Sequence, residues 1–146
     1  MPSNYDTDFY TWTQEQAALL REGAFTEIDI ANLIEEVESL GHSIKSAMRS
    51  QMIRLLLHLL KWQYQPARRQ DSHSWQDSIT DARTQIMVHL ESNHALQGFP
   101  EAVIPFAYRH ARRKAAVATR LPLETFPVEC PWGIDDILDD AFWPEG

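Results

Sequence analysis

Residues 54–62 read RLLLHLLKW. Six of the nine are leucine or tryptophan, yet Arg54, His58 and Lys61 interrupt them at helical intervals. On a wheel at 100° per residue, Ile44, Met48, Leu55, Leu59 and Trp62 share one face, and Ile53, Leu56, Leu57 and Leu60 make the opposite face apolar as well. A helix that is apolar on two sides is packed on two sides. The segment from about residue 43 to residue 64, closed by Pro66, is therefore expected to be the central helix of an all-α fold. Gln51, Arg54, His58, Lys61 and Gln65 recur at steps of three and four along the same rod. They form a narrow polar strip where water or an acidic neighbour can meet the helix.

Helical periodicity continues on both sides. A first helix is expected from near Asp8 to Glu22, stopped by Gly23, with Phe9, Trp12, Leu19 and Leu20 as its apolar residues. A second starts near Thr26, where Thr26 or Asp29 can cap it. Its stripe of Ile30, Leu33, Ile34, Val37 and Leu40 ends at Gly41. After the central helix, another begins near Ser74, with Asp77 three residues on, and carries Trp75, Ile79, Ala82, Ile86 and Leu90 toward a stop at Gly98. The next runs from Pro100 to about Leu121, and Pro105 should separate or kink its first turn. Four prolines lie at or beyond residue 122, so FPVECPWG reads as extended, followed by a short helix with Ile134, Ile137, Leu138, Ala141 and Phe142. No segment alternates long enough to be a strand. The expectation is a single all-α domain over residues 1–146: a bundle of four to five helices, an extended C-terminal tail (122–146) packing on it, and a short terminal helix.

The 146 residues suffice for one core, and 44% apolar with 23% charged content is ordinary for a folded chain. The single cysteine, Cys130, excludes an internal disulfide and any paired-cysteine metal knuckle. The opening MPSNYDTDFY has neither a basic region nor an apolar run, so it does not read as a secretory signal. No apolar stretch approaches the roughly 20 residues of a membrane span. A reducing cytoplasm and no membrane partner are the default expectations.

The net charge of −8 argues against the nucleic-acid backbone as a partner. Its distribution is uneven: residues 1–40 hold nine acids and one base, Arg21; residues 41–121 hold twelve bases and five acids; residues 122–146 hold seven acids and no base. Two acidic arms thus flank a basic body. Either they fold back and neutralise it, or the body binds something else. The apolar residues in both arms favour folding back.

Candidate site residues can be weighed one by one. If the second and central helices form a hairpin about Gly41–His42, His58 lies level with Phe25, and Glu22, Glu27 and Asp29 are the acids in reach. His58 then reads as a flank histidine bonded to a carboxylate or carbonyl, with a ligand or catalytic role as the alternative. Glu35, Glu36 and Glu38 in NLIEEVESLG read as a solvated face, or as a carboxylate cluster with His42 four residues past Glu38. Carboxylate-bridged dimetal bundles need two Glu-x-x-His pairs and two further glutamates, and only Glu91 with His94 supplies one. His89 and His94, five apart, point to different faces. No metal and no cofactor are expected. Arg83 falls within the apolar arc of its helix. Its guanidinium either pairs with acids of the first two helices or reaches water past a buried stem. RHARRK at 109–114 is the densest basic run. Arg109, Arg112, Arg113 and Lys114 form either a solvated face, a partner for the acidic tail, or a nucleic-acid contact. GxGxxG, GxxxxGK[ST], GxSxG and HExxH motifs are absent. Cys130 reads as a small packed side chain.

Four stretches in this order, DFYTWTQEQAALLREG, IANLIEEVESLG, LLLHLLKWQYQP followed by SW and the Arg83 helix, and FPVECPWGIDDILDDAFWPE, resemble the bacterial family catalogued as domain of unknown function 29. The resemblance covers nearly the whole chain. It implies a small, mostly helical protein and no established activity. By likeness, the family's marked positions are Trp12, Glu35, Glu36, His58, Lys61, Trp62, Trp75 and Arg83.

The leading functional reading is a cytoplasmic interaction or adaptor protein without catalytic activity, partnered by another protein or by itself. The alternative is a small enzyme or ligand-binding protein that uses the strip around His58, with Lys61, Arg83 and the Glu35/Glu36/Glu38 cluster. Nucleic-acid binding through the RHARRK run is the third reading. A flat apolar patch would favour the first, a pocket lined by His58, Lys61, Arg83 and a carboxylate the second, and a continuous basic face the third.

Overall fold

A computed structural model describes residues 4–70 and 73–145. The fold is all-α: α1 (Phe9–Glu22), α2 (Ile30–Tyr64), α3 (His73–Ser92), α4 (Phe99–Thr119) and a one-turn α5 (Ile134–Ile137), with short 3₁₀ turns between them. No strand occurs among the described residues. Two compact units divide between Ser43 and Ile44.

In the first unit, α1 begins and ends where its sequence says it should. The Asp8 carboxylate accepts the Thr11 N–H at 3.2 Å, and Gly23 takes a left-handed φ of 75°, letting the Ala24 N–H return to the Leu19 carbonyl at 2.9 Å. Asp29 is the keystone of the unit. Its carboxylate accepts the Trp12 indole N–H at 3.1 Å and the Asn32 side-chain amide at 2.8 Å, and its own N–H donates to Gln16 Oε1 at 2.7 Å. Tyr5 and Phe9 lean on the Trp12 ring, with centroids 4.8 and 5.8 Å away. Trp12 and Gln16 are the buried residues of α1.

The helix expected to stop at Gly41 does not stop. The stretches on either side of that glycine are one 35-residue helix, α2. A glycine inside a helix costs only about 0.5–1 kcal/mol, and neither proline nor a left-handed φ enforces a turn at this one. The hairpin that would have set His58 level with Phe25 therefore does not form.

In the second unit, the part of α2 from Ile44 onward is the central element. Met48, Met52, Leu55, Leu56, Leu59 and Leu60 are all fully buried, on both sides of the helix as its pattern requires. Ile79, Ala82 and Ile86 of α3, and Val103, Ala107, Tyr108, Ala111 and Ala115 of α4, complete the core with Phe126 and Ile137 of the tail. Burying each large apolar side chain contributes about 1.5–3 kcal/mol. α4 is continuous through Pro105, and the expected break is absent. The tail packs on this unit: Trp132, Ile134, Leu138 and Trp143 lie against its core.

Candidate functional site

The polar strip of α2 meets α3. Arg54 donates to Asp81 Oδ2 at 2.6 Å, an ion pair, and more weakly to Gln51 and to Ser78 Oγ. An acidic neighbour does meet the strip, but it comes from α3 and not from Glu22, Glu27 or Asp29, because α2 runs on without the hairpin. The guanidinium beside it holds the Asp81 carboxyl below the usual carboxylate range. His58 Nδ1 lies 2.8 Å from the Arg54 carbonyl. A carbonyl only accepts, so Nδ1 carries the proton, and Nε2 is the acceptor of the neutral ring. Burial pushes the His58 pKa down, with Lys61 and Arg54 adding to the effect and the carbonyl contact opposing it. Burial, then Arg68, also lowers the Lys61 ammonium.

Arg83 is buried, at 1% exposure. Its partners are not acids of the first two helices but main-chain carbonyls of the tail: Nε–H donates to Ile137 O and Nη2–H to Phe142 O, both at 2.8 Å. Its guanidinium also sits 5.6 Å from the Trp143 ring centroid. Burial lowers its pKa, and Asp140 and Asp139 act against that. Two more arginines treat the tail alike. Arg112 Nε–H donates to Phe126 O at 3.1 Å, and Arg69 Nη2–H to Pro144 O at 3.3 Å. The Tyr108 hydroxyl donates to Pro127 O at 2.6 Å, and burial raises its pKa. The Trp62 ring has the Arg69 guanidinium 5.1 Å from its centroid and the tilted Trp143 ring at 4.8 Å. Trp75 is buried in α3. His58, Lys61 and Arg83 lie in the second unit, while Glu35, Glu36 and Glu38 belong to the first.

Of these glutamates, Glu36 accepts a hydrogen bond from the Tyr5 hydroxyl, which raises the phenol pKa to about 12. Glu35 and Glu38 are exposed. Among the described residues, no group of three or more His, Cys, Asp or Glu side chains is placed to hold a metal ion.

The most conspicuous surface of the first unit is one the sequence pattern assigned to the core. Ile30, Ile34, Val37 and Leu40 of the α2 stripe are 56, 52, 66 and 67% exposed. Phe9 and Leu20 of α1 are 46 and 45% exposed. A groove of about 250 Å³ runs between the helices, walled by Phe9, Ala17 and Leu20 on one side and Leu33, Val37 and Leu40 on the other. An adjoining depression of about 360 Å³ shares Leu33 and Val37 and continues over Ile30 and Ile34, with Glu38 at its edge. A residue pattern shows which face of a helix is apolar, not whether the fold provides a cover for it.

On α4, the basic run is divided in its uses. Arg112 holds the tail, and the Arg109 guanidinium lies 5.8 Å from the Phe106 ring. Arg109 and Arg113 line a depression of about 560 Å³ against the tail, which Glu129 and Cys130 also line. Burial raises the Cys130 thiol pKa, and its Sγ–H points to Trp132 O at 3.4 Å. No helix among the described residues is long and apolar enough to cross a membrane.

With the geometry in place, residues 4–143 match the family model described as domain of unknown function DUF29, and the chain belongs to that family. No curated protein and no solved structure matches it.

Proposed function

We propose that this DUF29 chain is a non-enzymatic interaction protein whose first unit receives another protein on the groove between α1 and the start of α2. One observation carries the reading. Six large apolar side chains that line the groove and its adjoining depression, Phe9, Leu20, Ile30, Ile34, Val37 and Leu40, are 45–67% exposed, while Trp12 and Gln16 are the buried residues of α1. Single exposed apolar residues are ordinary, but a contiguous set along one groove marks a binding surface. A unit of about 40 residues also has too little core to be stable by itself without help. A partner covering the groove adds roughly 25 cal/mol for each Å² of apolar surface removed from water.

The alternative of an enzyme or ligand site around His58 has less support. The Arg83 guanidinium gives its Nε–H and Nη2–H to tail carbonyls, leaving only the buried Nη1 without a partner, and His58 Nδ1 bonds the carbonyl of its own helix. The single thiol, half-buried Cys130, accords with a reducing compartment such as the cytoplasm.

A photo-crosslinking amino acid placed at position 37 of the full chain in living cells tests the reading, with position 80 on exposed α3 surface as control. Position 37 should give a discrete adduct with one other polypeptide, identified by mass, and that polypeptide should rebind the purified chain less well after V37S/L40S. No adduct, or the same adducts from both positions, refutes the reading.

A further inference from the structure

We infer that the partner segment in this groove is a basic amphipathic helix, an inference that rests on the interaction reading above. The surface offers side chains and no free main-chain edge. An extended segment laid on it would bring its own N–H and C=O groups against apolar walls without partners. A helix satisfies those groups internally and presents only side chains. The apolar strip from Ile30 to Leu40 spans ten rises of α2, about 15 Å at 1.5 Å per residue, which matches about three turns of a docked helix. Three or four anchors at i, i+3/i+4 and i+7 would fill the groove over Trp12 and the depression over Leu33 and Val37.

Charge decides which kind of amphipathic helix. The first 40 residues hold nine acids against Arg21 alone. Glu36 lines the groove and Glu38 the depression, and Asp6, Asp8, Glu22, Glu27 and Glu35 are exposed on the same unit. A helix whose polar flanks carry Lys and Arg meets this rim with complementary charge, while an acidic helix would be repelled. The same rim disfavours the groove of a second copy, which would bring an equal charge, and an anionic lipid surface, which it repels.

The test uses the full chain and two synthetic 14-residue helical peptides with one leucine pattern, one with lysine and the other with glutamate at every polar position. Fluorescence anisotropy should show the lysine peptide binding in the micromolar range, about tenfold weaker when salt rises from 50 to 300 mM. The glutamate peptide should not bind. V37S/L40S, which leaves the net charge unchanged and alters exposed residues only, should weaken the lysine peptide about tenfold. Glu38→Gln, at the edge of the depression, should weaken it several-fold and flatten the salt dependence. Circular dichroism melting verifies that both variants remain folded. Equal binding of both peptides, or lysine-peptide binding indifferent to V37S/L40S, overturns the inference. So does self-association of the chain that V37S/L40S abolishes, which would make a second copy the occupant. If the cellular crosslink at position 37 maps to a segment that is not a basic helix, this inference fails while the interaction reading stands.

Discussion

Replacing Arg83 by lysine tests whether the tail is held through its main chain. Lysine keeps the positive charge and most of the stem but cannot offer two donors in a fixed fork. Arg83 gives one N–H to Ile137 O and another to Phe142 O. Hydrogen bonds to charged groups contribute about 1.5–3 kcal/mol each, and lysine retains one at most. With a strongly hydrated ammonium left in a buried position, the loss comes to about 3 kcal/mol, which raises the tail-opening equilibrium roughly 100-fold. The chain contains its own reporter. Cys130 is the sole cysteine, half-buried, and donates to Trp132 O. The Trp132 ring in turn contacts Phe142 at a centroid distance of 6.3 Å. Freeing the Phe142 anchor uncovers the segment that carries the thiol. When closing is faster than labelling, the labelling rate follows the open population. Reaction of the native protein with an excess of a chromogenic disulfide should therefore be up to roughly 100-fold faster for Arg83→Lys, and its urea midpoint should fall. Equal labelling rates and equal midpoints in the two proteins refute the clamp.

Three further outcomes are expected. Burial depresses the His58 pKa, so below about pH 6.5 the unfolded chain takes up a proton that the folded chain refuses. Stability should thus decline as pH falls from 6.5 toward the folded value, and urea midpoints at pH 7.5 and 5.5 should differ less in His58→Gln than in the parent. An equal difference in both removes His58 as the cause. Gly41→Ala places a methyl group where nothing lies within 4 Å, and should stabilise the helix by about 0.5–1 kcal/mol, a rise of roughly 2 °C in Tm; a fall would mean that residue 41 is not helical in solution. Ile137→Ala, at a fully buried tail position, should cost about 3 kcal/mol in urea unfolding, while Val128→Ala, 78% exposed, should stay within about 0.5 kcal/mol. Equal effects would contradict the packing of the tail.

The sequence was most legible where local chemistry decides. Asp8 and Gly23 bound α1 because a capping carboxylate and a left-handed glycine act within a few residues. The two-sided apolar pattern around His58 gave the central helix, since 3.6-residue periodicity needs no tertiary knowledge. Gly41 misled because a single glycine weighs about 1 kcal/mol against the continuing helical pattern on both sides. That Arg83 lies in an apolar arc was visible, but its partners were not. They are carbonyls 54 and 59 residues away, and a carbonyl has no residue type by which to find it. The exposed groove escaped for a related reason. Ile30, Ile34, Val37 and Leu40 look the same in sequence whether covered or open, and only the fold reveals that nothing in α1 covers them.

Arg69, Arg83 and Arg112 all grip the tail by its carbonyl oxygens. Every amino acid carries that oxygen, so the grip is blind to side-chain identity along the tail's outer face. Asp135, Asp136, Asp139 and Asp140 are exposed there and take no direct bond from these arginines. Over evolutionary time Asp135 and Asp136 can drift to neutral residues with little effect on the docked path, provided Phe126 and Ile137 remain to fill the core, whereas Asp139 Oδ1 also accepts the Ala141 N–H at 2.9 Å. Raised salt should likewise fail to detach the tail, as it would if carboxylates held it. The surface charge of this end of the protein is thus free to follow the demands of solubility or of a changing partner, on a scaffold that does not need to be rebuilt each time.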